Sequence, residues 1–96
     1  MKFDWDPEKN EQIKQERGIS FEEIALLLGA GHVWAVSKHW NPEKYPNQRV
    51  FLVPVDGYIL AVPFVEDKEC IFLKTAFPSR KLTKRYRKEL DENEKE

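Results

Sequence analysis

The stretch from Lys74 to Lys88, KTAFPSRKLTKRYRK, holds seven lysine or arginine residues and no acid, in a chain whose net charge is only −1. Cations gathered without interleaved carboxylates suit a polyanion, most simply the phosphates of nucleic acid. The spacing adds geometry. Ser79 has the chemistry of an N-cap, and Leu82, Tyr86 and Leu90 recur every four residues as one apolar helix seam. At about 100° per residue, Arg80, Lys84 and Arg87 fall on the side facing away from that seam, with Lys81, Arg85 and Lys88 beside them. Lys81, Lys84, Arg85 and Arg87 are therefore the candidates for gripping an RNA strand. The competing reading is an ordinary solvated face. Against it stand the lack of any Glu interleaved within the stretch for i,i+4 pairing and the acidic tail DENEKE, which begins only after the cations end.

Cutting RNA needs few parts. A 2′-hydroxyl attacks the neighbouring phosphorus, so a site requires a base, an acid for the leaving 5′-oxygen, and cations for the developing charge. His39, in a polar loop, can exchange protons near neutral pH, and Arg49, Lys74 and Arg80 can carry the charge. Each has a structural competitor. His39 could cap its loop, Arg49 could pair with Glu43 or another acid, Lys74 could snorkel from an apolar strand, and Arg80 could balance Asp67 or Asp91. Trp34, Trp40, Tyr45 and Tyr58 are candidates for base stacking, Trp40 and Tyr45 foremost because they lie in a polar loop, while Trp34 and Tyr86 suit packing. Phosphate-binding glycine loops, nucleophile elbows and zinc-protease motifs are missing. His32 and His39 stand seven apart, a poor metal spacing, so neither metal nor cofactor is expected.

These residues need elements to place them. Asp6-Pro7 predicts a helix start, and Gly18 its end after Arg17. Ser20 and Glu23 form a capping box, flanked by an Ile19–Ile24 staple, for a second helix closing at Gly29-Ala30-Gly31. Four strand-like runs follow, near 32–38, 49–55, 58–65 and 70–77, the middle two joined by Asp56-Gly57 as a type I′ turn. Pro54 and Pro63 must lie at strand ends, at a bulge, or with their nitrogens facing outward. The sum is an α+β domain with two N-terminal helices, a four-stranded mainly antiparallel sheet and a C-terminal helix. If consecutive strands pair, His39, Arg49 and Lys74 can approach one edge.

The 96 residues fit a single domain, here 1–90, with a frayed acidic tail over 91–96. The chain is 41% hydrophobic and 34% charged, which supports one core and a well-solvated surface. No apolar run approaches the ~20 residues of a membrane span. One cysteine, Cys70, allows no internal disulfide and reads as a small buried hydrophobe. With no signal-peptide pattern, this points to a cytoplasmic protein.

The order of motifs resembles the BrnT family of bacterial type II toxins. The likeness runs from Phe3 to about Arg87. Its most specific parts are F-x-W-D-x-x-K-N, met by Phe3, Trp5, Asp6, Lys9 and Asn10, and G-[IV]-S-F-E-E, met by Gly18 to Glu23, with a looser match over Ser79 to Arg85. The chain departs from the pattern at Glu16-Arg17-Gly18, where the family commonly has Lys-His-Gly, and at Pro78, where it usually has a small residue. The resemblance implies a RelE-like ribonuclease fold and an endoribonuclease that slows translation. It also implies neutralisation by a small DNA-binding antitoxin of ribbon–helix–helix type, in a complex of two toxins and two antitoxins that represses its own operon.

Overall fold

The computed structural model describes residues 2–94, with side chains up to residue 92. Its elements are β1 (Lys2–Trp5), α1 (Pro7–Arg17), α2 (Phe21–Gly29), β2 (Ala35–Lys38), β3 (Gln48–Val55), β4 (Tyr58–Asp67), β5 (Cys70–Leu73), β6 (Phe77–Pro78) and α3 (Arg80–Glu94). They form an α+β fold with three helices around one mixed sheet. The sheet order is β1-β5-β4-β3-β2, and β6 pairs the hairpin-proximal part of β4.

Local chemistry sets the helix ends. Asp6 accepts the Glu8 N–H at 3.0 Å, Pro7 opens α1, and Gly18 closes it with φ 70 in the left-handed region. Ser20 Oγ accepts the Glu23 N–H at 3.1 Å and donates to the Glu23 carboxylate at 3.2 Å. The two helices are then tied together by Asn10. Its amide donates to Glu22, and its oxygen accepts the buried Phe21 N–H at 2.8 Å.

Strand alternation splits the interior into two layers. Val53, Leu60, Val62, Phe64, Ile71 and Leu73 face α1 and α2, where Ile13, Ile19, Phe21 and Ile24 meet them. Val50, Leu52, Ile59 and Ala61 face the other way, under Leu82 and Tyr86 of α3 and beside Trp34 and Phe77. Trp34 and Tyr86 are thus packing residues, in an edge-to-face pair at 5.3 Å.

The sheet differs from the four-stranded expectation in three ways. Lys2–Trp5 is a strand, parallel to β5 with Trp5 opposite Leu73. The run expected over 70–77 is broken. After Leu73 the Lys74 N–H turns to the Pro63 carbonyl at 2.8 Å, and pairing to β4 resumes at Phe77. Pairing of β2 with β3 covers only Ala35 to Lys38, because Gly31 at φ 77 and His32, whose N–H returns to Leu27, still close α2. The Asp56-Gly57 turn has both residues at positive φ, 50 and 82, as a type I′ turn requires. Pro54 and Pro63 both turn away from the β3–β4 ladder. The Pro54 carbonyl meets the His32 ring at 2.8 Å, and the Pro63 carbonyl meets Lys74. Of the tail expected to fray over 91–96, Asp91 to Glu94 are helical, and residues 95–96 lie outside the described residues. Cys70 is part-buried rather than fully buried. No helix among the described residues is long and apolar enough to cross a membrane.

Candidate nucleic-acid interface

Helix α3 is fixed to the sheet at its first turn. Ser79 donates its N–H to the Ile59 carbonyl at 2.9 Å, and Ile59 donates its own N–H to Thr83 Oγ1 at 2.8 Å. The Thr83 hydroxyl in turn donates to the Ser79 carbonyl at 2.6 Å, and Ser79 Oγ accepts the Leu82 N–H at 3.3 Å. The far end is held by Trp34 Nε1, which donates to Glu89 at 3.2 Å. The helix therefore crosses from β4 to the edge strand β2 in one orientation. Thr83 was not singled out by sequence. The available signal was its place four residues after an N-cap serine, on the helix face that packs on the sheet.

With that orientation set, Arg80, Lys81, Lys84, Arg85, Arg87 and Lys88 are all exposed. Among the described residues, ion pairs within 4.0 Å form only at Lys14–Glu11 and Arg49–Glu66, so no cation of this array is in direct contact with a described carboxylate, although Glu89 follows Arg85 by one helical turn. The helix bears the cost. Arg80–Lys84, Lys81–Arg85 and Lys84–Lys88 are like-charged i,i+4 pairs, each destabilising by roughly 0.2–0.5 kcal/mol. Arg80 and Lys81 also stand in a first turn without acids, against the positive end of the helix dipole. An anion on this surface would relieve both repulsions.

The hairpin-facing flank of α3 is the wall of a groove. Arg80, Lys81, Thr83, Lys84 and Arg87 line it together with Tyr58, in a volume of about 690 Å³. Arg87 bridges to the hairpin, donating to the Gly57 carbonyl at 3.1 Å and covering the Tyr58 ring at 5.3 Å. Tyr58 remains 52% exposed at this wall.

The four candidates for catalysis are not brought together. Arg49 is opposite Lys38, next to the end of β2, as expected. However, it lies two residues from Phe51 on β3, hence on the same α1–α2 side of the sheet, over the Phe64 ring at 5.2 Å and paired with Glu66 at 2.5 Å. His39 and Lys74 belong to the α3 side. Lys74 bonds through its N–H to Pro63, which pairs with Val50, itself opposite Ser37. Three strand spacings, about 14 Å, therefore separate Lys74 from β2. Arg80 is anchored beside Ile59, four residues further along β4, or about 13 Å. Lys74 Nζ is drawn over its neighbour Phe72 at 5.3 Å.

His39 is 6% exposed. Its ring stacks on Trp40 at 3.9 Å and packs against Tyr45 at 4.5 Å. Its Nδ1 accepts the Asn41 N–H at 3.0 Å, which places the proton of the neutral ring on Nε2. Trp40 meets Phe77 edge-to-face at 5.4 Å and is 63% exposed, so it offers an aromatic surface on the α3 side. Among the described residues no group of three or more His, Cys, Asp or Glu side chains is disposed to hold a metal ion.

Compared with known proteins, the chain matches no family model, no curated protein and no solved structure.

Proposed function

We propose that this chain binds single-stranded RNA along α3 and acts as an endoribonuclease toxin of a type II toxin–antitoxin pair, the activity that its BrnT-like motifs suggest. The observation that carries the RNA part is the uncompensated cation array, arranged against the helix's own electrostatics. Phosphates along α3 would meet Lys81, Lys84, Arg85 and Arg87, and Arg80 would sit where a strand enters the Tyr58 groove. In cleavage, the 2′-hydroxyl gives its proton to water as its oxygen bonds to phosphorus, and the 5′-oxygen leaves with a proton, which closes a 2′,3′-cyclic phosphate. Arg80 and Lys84 would stabilise the charge on the pentacoordinate centre. The groove's other hydroxyl, that of Thr83, is spent on Ile59 and Ser79, so Tyr58 is the hydroxyl available to move a proton there. A small antitoxin would neutralise the toxin by covering this basic surface.

A second reading is a non-catalytic module that binds nucleic acid or an antitoxin-like partner through α3. It is favoured by the dispersal of His39, Arg49, Lys74 and Arg80 and by the engagement of His39 Nδ1. One experiment separates the two. Purified chain is titrated onto labelled RNA at several salt concentrations, and the RNA is then run on a denaturing gel. Salt-dependent binding with shortened RNA, abolished by Arg80→Ala, supports the toxin. Salt-dependent binding with intact RNA supports the module. Absence of binding at low salt overturns both RNA readings.

A further inference from the structure

A second cavity adjoins the groove. It has a volume of about 490 Å³ and opens between the α1–α2 turn and the β3–β4 hairpin. Its floor is apolar: Ile19, Val55, Leu60 and Pro78. Its rim carries Glu16, Glu23 and Asp56, with Arg17 as the lone cation. Tyr58 lines both this cavity and the α3 groove, so the two are continuous across one phenol ring.

The chemistry of the two halves is opposite. Three carboxylates against one guanidinium repel a phosphate, and they are not grouped to hold a metal ion. An apolar floor below hydrogen-bond acceptors fits a flat neutral heterocycle that presents N–H groups. The acceptors are not used up. Glu16 takes one hydrogen bond from Gln12 at 3.1 Å and Glu23 one from Ser20 at 3.2 Å, which leaves the second oxygen of each carboxylate. Arg17 adds a planar cation on which a base can stack. Among the four RNA bases, guanine alone places two N–H donor groups side by side on its pairing edge, matching the two oxygens of Asp56, neither of which accepts a hydrogen bond from a described residue.

We infer that this cavity takes a nucleobase, guanine in preference, from an RNA whose phosphates lie on α3, with Tyr58 as the wall between base and backbone. The inference rests on α3 being RNA-binding, and it names the base class that the same site would select.

The test has two arms. In the first, guanosine, adenosine, cytidine and uridine are titrated while the methyl NMR signals of Ile19, Val55 and Leu60 are followed. Nucleosides carry no phosphate, so this arm reads the cavity independently of α3. Guanosine should shift those methyls at the lowest concentration. In the second, an oligoribonucleotide with one guanine is compared with its adenine counterpart. The guanine form should bind about tenfold tighter. The double variant Glu16→Gln, Asp56→Asn should bring the two oligomers to equal affinity while the salt slope set by α3 persists. Asparagine tolerates the positive φ of position 56, and a melting curve checks that the variant folds. Equal methyl shifts for all four nucleosides, or a guanine preference that survives the double variant, overturns the base assignment. Loss of oligomer binding with guanosine shifts intact overturns the α3 reading instead.

Discussion

The two ends of the chain solve opposite problems. At the N-terminal end, the polar side chains that join the elements find partners. Asp6 caps α1, Ser20 and Glu23 cap α2, and Asn10 uses both its amide group and its oxygen to join the two helices. At the C-terminal end, α3 is fixed by Ser79 and Thr83, yet its six outer cations meet no described carboxylate. The first region is closed on itself, and the second is left open for something else. The motifs that resemble BrnT, around Trp5 to Asn10 and Gly18 to Glu23, belong to the closed region. Trp5 stacks on Phe21 at 5.8 Å, and Asn10 and Glu22 make the helix–helix link. The most recognisable part of the sequence is therefore architecture, and the part with unmet charge is less distinctive.

The contrast can be broken first in the core of the closed region. Phe21 is fully buried against Trp5. Phe21→Ala should cost about 3–5 kcal/mol in urea unfolding, a large share of the roughly 5–15 kcal/mol that holds a domain of this kind together.

Asn10→Ala comes next. It strands the Phe21 N–H and should cost about 1–3 kcal/mol. It also carries a pH signature. Hydrogen bonding from Asn10 holds the Glu22 carboxyl below its ordinary range. A carboxyl lowered on folding stabilises the fold above its unfolded pKa, and that stability is lost as pH falls through the lowered folded value. The variant should lose this acid-side component, so its melting temperature should fall less than the native chain's on going from neutral to acidic pH. Parallel melts across that range measure it.

The smallest stability effect belongs to the open region. Lys84→Ala should change unfolding free energy by no more than about 0.5 kcal/mol, and could raise it by removing like-charge pairs. Its RNA-binding salt slope should nevertheless fall by about one. A stability loss there as large as that of Asn10→Ala would mean that α3 is structural and erase the distinction.

What the sequence revealed follows the same division. Caps, turns and the cation face were legible because each depends on neighbours within a few residues. Asp6-Pro7, the Ser20–Glu23 box and Asp56-Gly57 all took the expected geometry. β1 was missed because its evidence is distant, in the pairing of Trp5 with Leu73, although the alternation of Phe3 and Trp5 with Lys2 and Asp4 hinted at it. The break after Leu73 was hidden for the same reason, since only the position of Pro63 shows where the Lys74 N–H goes. The catalytic set suffered from parity. Register brings Arg49 beside the end of β2, but one residue of alternation decides the face, and Arg49 falls behind the sheet while Lys74 and His39 lie in front. The sequence offers Tyr58 as a stacking residue, but its place between groove and cavity depends on the hairpin bringing it to Arg87 and Pro78.

The Ser79–Ile59–Thr83 linkage has a kinetic corollary. Because it seats α3 on β4 before any ligand arrives, the positive row is a prefabricated template and no segment must coil up during encounter. Association should then be governed by diffusion and long-range attraction, with on-rates that climb as ionic strength drops, rather than by a slow ordering step.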